Sequence, residues 1–262
     1  LARAGIISTQ EYLDLLAQTI TRHIKTLGRF KQTVTESSFD AWTKYYKPDE
    51  NTPNSVVSYY VKGALVALCL DLKLRQLSQQ KISLDMVMRE LWLNYGKVGK
   101  GVNNNTVQAI AQRLIQQHLA EFFNQCLYST EELPFVMLLS EQGIQLSYKY
   151  DNGKQQATAC LGVRGQMADG GYQLQNVWHG GAADIAGLSA GDLIVAVDGL
   201  KVTTQFEKNL ATYAIGETVT IHFFRRDELM KLEVKLLASQ AEQCQLTINT
   251  DCKAQIEQWV LG

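Results

Sequence analysis

The hydrophobic period of this 262-residue chain changes once, around Leu133-Pro134. Before that point apolar residues recur at helical spacing. After it they alternate with polar ones, as half-buried strands do. A chain with such a switch is expected to fold as two units, a helical one followed by a β-rich one, in an α+β multidomain arrangement.

In the helical half, Ser8-Thr9-Gln10-Glu11 forms a capping-box pattern, in which the serine oxygen and the glutamate carboxylate satisfy orphan amides reciprocally. Tyr12, Leu15, Leu16, Ile20, Ile24 and Leu27 follow at helical spacing, and Gly28 ends the run. The stretch Thr35 to Pro53 mixes polar residues with Phe39, Trp42, Tyr45 and Tyr46, which predicts a short helix from Ser38 and then a loop. A helix is expected from Ser55 to about Leu77, a second after Ser83 that stops at Gly96, and a third opened by Thr106.

In the second half, Ile144, Leu146, Tyr148 and Tyr150 read as a strand, and Asp151-Asn152-Gly153 as a hairpin turn. Further strands are expected at 158–163, 172–177, 192–197, 218–225 and 229–236, with short helices at 182–186 and 204–213. Short strands with glycines at the corners make a partly open barrel. The boundaries expected are 1–130 for the helical unit, 131–238 for the barrel and 239–262 for a polar tail.

A formal net charge of −1 and the lack of a Lys/Arg cluster give no basis for a polyanion partner. Nucleic-acid binding is not expected. The apolar run Ala64 to Leu74 is interrupted by Asp71 and Lys73 and reads as too short for a membrane span. The four histidines, His23, His118, His179 and His222, include no pair at i, i+4, and the five cysteines include no Cys-x-x-Cys. No metal or other cofactor is therefore expected in this chain. Cys69 and Cys126 read as small buried hydrophobes. Cys244 and Cys252, eight positions apart in polar surroundings, are either reduced or paired, and a pair would imply an oxidising compartment. Leu1-Ala2-Arg3-Ala4-Gly5 reads as the end of a helix running into a glycine stop, with no signal peptide visible, so the chain is expected to begin in mid-fold and its compartment cannot be read.

Two motifs carry chemistry. The run from Gly180-Gly181-Ala182-Ala183-Asp184 through Gly191-Asp192-Leu193 to Asp198-Gly199 closely resembles the signature of PDZ domains of bacterial protease type, with Gly180-Gly181 where Ser-Pro is frequent. That resemblance implies a groove for a peptide or protein C-terminus between a strand and the helix at 204–213. Leu161, Gly162, Val163 and Arg164 would form its carboxylate-binding loop. The alternative is an ordinary strand end, with the groove used only for internal packing.

Tyr59-Tyr60-Val61-Lys62-Gly63, at the start of an apolar helix, resembles the segment with which gluzincin zinc aminopeptidases place a catalytic tyrosine. With the PDZ signature downstream, the chain resembles the glycyl aminopeptidase family. The resemblance implies that the helical unit is the C-terminal part of a thermolysin-like peptidase domain, with Tyr60 donating a hydrogen bond to the oxyanion. The family's zinc ligands and its His-Glu-x-x-His glutamate would lie upstream of Leu1. Zinc would then belong to the full-length parent, and the partner of this chain would be an upstream catalytic subdomain. The chain alone would be inactive, and the parent would cleave N-terminal residues such as Gly or Ala. The other reading is a non-enzymatic PDZ adaptor whose helical half is a docking module. Tyr60 also has a packing reading; Lys62 and Gly63 are expected to serve the helix start and close packing, and Asp71 and Arg75 to form an exposed ion pair. A helical half cut from its partner would expose apolar surface, so self-association into a homo-oligomer is expected.

Overall fold

The computed structural model describes residues 1–150, 156–241 and 243–261. Eight helices come first: α1 (Thr9–Ile24), α2 (Val34–Phe39), α3 (Thr52–Ser55), α4 (Tyr59–Leu77), α5 (Leu84–Leu91), α6 (Thr106–Ile115), α7 (Ala120–Phe123) and α8 (Phe135–Glu141). The strands follow as β1 (Ile144–Lys149), β2 (Ala159–Cys160), β3 (Val163–Ala168), β4 (Gly171–Val177), β5 (Leu193–Val197), β6 (Leu200–Lys201), β7 (Thr218–Arg225), β8 (Glu228–Lys235), β9 (Leu237–Ala238) and β10 (Gln243–Ile248). Two small helices interrupt them, α9 (Ala182–Ala186) and α10 (Phe206–Leu210), and α11 (Lys253–Leu261) ends the described chain. The hairpin expected at Asp151-Asn152-Gly153 lies outside the described residues.

The capping box of α1 is formed as expected: Glu11 N donates to Ser8 Oγ and Ser8 N donates to the Glu11 carboxylate. A second box, Thr33 with Glu36, starts α2 several residues before the helix expected from Ser38. Ser83 precedes α5 but makes no capping bond. Leu84 N donates instead to Asp71 Oδ1 at 2.7 Å, so the cap comes from α4.

Asp71 is thus a buried junction, not half of an exposed pair. It also accepts from Arg75 Nε at 2.9 Å and from Trp259 Nε1 at 2.8 Å, tying α4, α5 and α11 together. Buried carboxylates persist where several donors satisfy them, as here.

Two hydrophobic cores divide the chain. The first surrounds α4, with Leu13, Ile20, Leu65, Leu72, Leu74, Phe123 and Leu138, and it takes in Ile144, Leu246, Ile256 and Trp259. The second lies inside the β unit and holds Leu161, Tyr172, Leu174, Ile194, Phe206, Ile221, Phe223 and Val234. The segment expected as a polar tail is therefore not one. Strand β10 pairs antiparallel with β1, Ile144 opposite Ile248 and Lys149 opposite Gln243, and α11 closes the helical core. Its alternating Cys244 and Leu246 face inward where a composition count sees mostly polar residues. Gly143 sits at this closure with φ +81, and a Cβ there would overlap Cys252. Cys244 and Cys252 are both free thiols, so the disulfide reading is dropped.

Thr52–Leu77 is long and apolar enough by composition to cross a bilayer, which the sequence reading underrated. In the fold, its α4 part is the central core helix, packed by α1, α2, α5 and α8.

The β unit has a six-stranded sheet with path β3-β4-β5-β7-β8 and β6 paired to β5, beside the small pair β2-β9. Asp192, 1% exposed, accepts a two-pronged bond from Arg225 at 2.9 and 2.8 Å and a bond from Ser189 N, which pins the corner before β5. The two units touch through Asn54: its Nδ2 donates to Val177 O at 2.8 Å and its Oδ1 accepts from His179 N at 3.0 Å. Asn176 Nδ2 reaches Glu50 O at 2.8 Å.

Candidate functional site

Ser58 caps α4 by accepting from Val61 N, which sets Tyr59 and Tyr60 on the first helical turn. Tyr60 is 59% exposed, so its phenol is within reach of a ligand. Tyr46, from the π-helical turn Ala41–Tyr45 and its cap, brings its hydroxyl within 3.0 Å of both the Tyr59 and Tyr60 hydroxyls. The Tyr59 and Tyr60 rings lie 4.2 Å apart between centroids, and Tyr45 packs edge-on against Tyr59 at 5.5 Å. Tyr45 in turn accepts from Ser58 Oγ at 3.1 Å. Hydrogen bonds from Tyr46 and then Tyr59 pull the Tyr60 pKa below the ordinary phenol value, while the same contacts push Tyr59 up. Either hydroxyl of each contact can be the donor, so with Tyr59 donating to Tyr46 and Tyr46 to Tyr60, the Tyr60 proton is left free to point outward. On an isolated helix, successive residues point about 100° apart; here Tyr59 and Tyr60 share a partner, so they are not independent.

Lys62, two residues on, faces inward. It is 1% exposed, and its Nζ has no hydrogen-bond partner among the described residues. Burial lowers its pKa. Nearby, His23 is also buried, with Nδ1 unpartnered and Nε2 3.8 Å from Glu132, an ion-pair distance too long for a hydrogen bond. Arg29 Nε donates to Glu132 at 3.0 Å.

In the β unit, Leu161 is buried and Gly162 has φ +72, a value suited to glycine. The Leu161 carbonyl accepts from Ala183 N at 2.8 Å and the Gly162 carbonyl from Trp178 N at 2.9 Å. In a trans peptide the N–H points opposite to the C=O, so the Gly162 amide is turned away from α9 and the Val163 amide away from Trp178. A Cβ on Gly162 would come within 3.1 Å of Gly181 Cα, so the loop lies tight against the start of α9. Arg164 follows at a β-bulge in β3.

Among the described residues no three His, Cys, Asp or Glu side chains converge as a metal site. His179 pairs with Asp184 at 3.2 Å on the surface of the β unit, and His23 lies edge-on to Phe135 in the helical core. These residues do not fit a zinc ion, and no chemical step is assigned to one. An apolar hollow of about 560 Å³ between α1, α4 and α11 is lined by Leu16, Leu65, Leu68, Tyr12 and Trp259, with Leu1 at its margin.

Tyr46 was invisible as a site residue. It lies in a polar, aromatic segment that reads as loop, and no periodicity says which of its rings will reach Tyr60.

Residues 1–66 match the M61 glycyl aminopeptidase family and residues 159–236 match the PDZ domain. The chain is 40% identical to an aminopeptidase N family protein of Idiomarina loihiensis whose crystal structure superimposes with a TM-score of 0.87, covering 98% of this chain and 45% of that one. The Do-like HtrA serine proteases of Lactococcus lactis subsp. cremoris and subsp. lactis are each 24% identical over 92% of this chain and 62% of their own length. The chain thus spans less than two thirds of these relatives. It carries a segment of the M61 glycyl aminopeptidase family and, downstream, a PDZ domain.

Proposed function

We propose that this chain is the C-terminal portion of a zinc-dependent aminopeptidase acting on peptides with small N-terminal residues such as Gly or Ala. It contributes Tyr60 as oxyanion donor and a PDZ groove that takes a peptide C-terminus at Leu161, Gly162, Val163 and Arg164. The observation that carries the reading is the Tyr60 phenol, exposed at a helix start and 3.0 Å from the Tyr46 hydroxyl, which can donate to it and leave the Tyr60 proton free for a substrate oxygen. A donor of that kind stabilises charge as it develops on a substrate oxygen. The positive φ of Gly162 and the use of the Leu161 and Gly162 carbonyls by Ala183 and Trp178 support the carboxylate loop, since they leave the following amides free to bind an anion. The metal and the general base belong to residues of the parent outside this chain, and the apolar hollow beside Leu1 suits an upstream subdomain packing there.

The test is Tyr60→Phe in the full-length parent. Turnover on a glycyl or alanyl anilide should fall by roughly a hundredfold, with substrate binding little changed, because the bond forms mainly in the transition state. Tyr59→Phe is not a silent control, since Tyr59 shares the Tyr46 hydroxyl. It and Tyr46→Phe should show smaller losses. Equal, mild losses in all three would make Tyr60 a packing residue and end the catalytic assignment.

A further inference from the structure

Strand β3 is the terminal strand of the six-stranded sheet, and α10 lies against β2, the short strand just before it. An extended peptide adding to that edge needs the edge amides and the space between β3 and α10. Part of that space is taken by a side chain of the protein itself. Tyr172 starts from β4, opposite Met167, and its ring passes diagonally against Gly165 of β3. A Cβ on Gly165 would overlap the Gln173 carbonyl of β4 and stand 2.6 Å from Tyr172 Cε1, so the glycine admits both the close backbone and the ring. Beyond β3 the ring lies on Phe206, centroids 4.6 Å apart, and its hydroxyl donates to Glu207 Oε1 at 2.5 Å. Tyr172 therefore bridges the sheet to α10, across the space that an added strand would enter. Tyr172 is buried although its partner Glu207 is exposed, so the bond lies at the mouth of the groove.

We propose that Tyr172 and Glu207 latch this PDZ groove shut, so that a peptide C-terminus pairs along β3 only when the Tyr172 phenol has left Glu207. The latch is charge-assisted and has a neutral donor, since burial and the neighbouring Glu207 carboxylate both hold the phenol protonated. The ligand it excludes is an extended backbone, with a terminal carboxylate for the Gly162 and Val163 amides. The proposal rests on reading β3 and α10 as a peptide groove, and its test separates the two.

Amide hydrogen exchange at 163–168 and 206–210 is measured in the intact 262-residue chain and in Tyr172→Phe and Glu207→Ala. Tyr172→Phe keeps the ring on Phe206, and Glu207 is exposed, so both variants should fold. Exchange there should rise by about tenfold or more in both, the scale of one lost hydrogen bond to a charged group. The same proteins are titrated with a fluorescent decapeptide pool, randomised at its last four positions, with either a free C-terminal carboxylate or an amide. The carboxylate pool should bind both variants about tenfold more tightly than the unaltered chain, and the amide pool should not. Unchanged exchange in both variants overturns the latch whatever the peptides do. Carboxylate binding as tight in the unaltered chain as in the variants also overturns it, and leaves the groove reading intact. Faster exchange without carboxylate-selective binding leaves the Tyr172–Glu207 bond as packing and overturns the groove reading, and the latch with it.

Discussion

The two cores of this chain are closed in opposite ways. The β unit closes within a continuous stretch: its buried residues run from Ala159 to Leu236, and its strands pair mostly with neighbours in sequence. The helical unit closes only when the chain returns to it. Trp259 donates to Asp71 across 188 residues, and β10 pairs with β1 after the whole β unit has intervened. Among the described residues, the helical core also buries what the β core does not, a lysine amine without a partner. Local closure yields a unit that can stand alone; distant closure makes the other unit depend on the last twenty residues.

The hardest test of that contrast is removal of residues 239–262. Leu246, Ile256, Trp259 and Val260 are all buried in the helical core, and burial of each large apolar side chain is worth about 1.5–3 kcal/mol. Their sum rivals the whole stability of a domain, about 5–15 kcal/mol. Calorimetry should show the helical transition lost and the β unit melting as before. A truncated chain that keeps both transitions would break the comparison.

Asp71→Ala should be the next largest effect. It strands the donors of Arg75, Leu84 and Trp259 and should cost the helical unit about 3–5 kcal/mol, read from urea midpoints. The β transition should not move.

Lys62→Met works in the other direction. It replaces a buried, unpartnered amine with an apolar chain of similar length, and should stabilise the helical unit by about 1–3 kcal/mol. A loss of stability would mean that the amine has a partner which the fold alone does not display.

The smallest effect is in pH. Burial holds the His23 pKa below its ordinary value, so below about pH 6.5 the unfolded chain takes up a proton that the folded one refuses. Stability is therefore full above that pH and is lost as pH falls toward the folded-state value. Burial alone would raise the Glu132 pKa, but His23 and Arg29 outweigh it and hold it low. The stability from Glu132 is likewise lost as acid protonates it. The helical transition should soften between pH 7 and 4 by less than about 1 kcal/mol, given the exposure of Glu132, and His23→Gln should flatten its upper part.

The same contrast decides what could be read from the sequence. The helix at Ala182–Ala186 and the glycine corners around it were legible because each residue there answers a local steric demand. The Thr33 and Glu36 box was equally local and was passed over. By contrast, the cap that Asp71 gives α5, the inward face of Cys244 and Leu246, and the meeting of Tyr46 with Tyr60 depend on where distant segments arrive. The strand β3 was missed as a strand because Arg164, Gly165 and Gln166 carry no apolar alternation, and its glycine makes room for Tyr172 instead.

The pairing of β1 with β10 also has a mechanical meaning. The sequence of the β unit lies between these two strands, so both tethers load the ladder from the same end, at Lys149 opposite Gln243. Antiparallel bonds lie perpendicular to the strands, and force applied at one end opens them one rung after another, as a zipper opens, instead of shearing all at once. A tug on the β unit would therefore be absorbed as a gradual peel that stops at the corner where Asn249 N holds Gly143 O. The second rung to open, at Cys244, also carries the bond from Cys244 N to Thr21 Oγ1, so α1 feels the load as soon as the stem begins to yield.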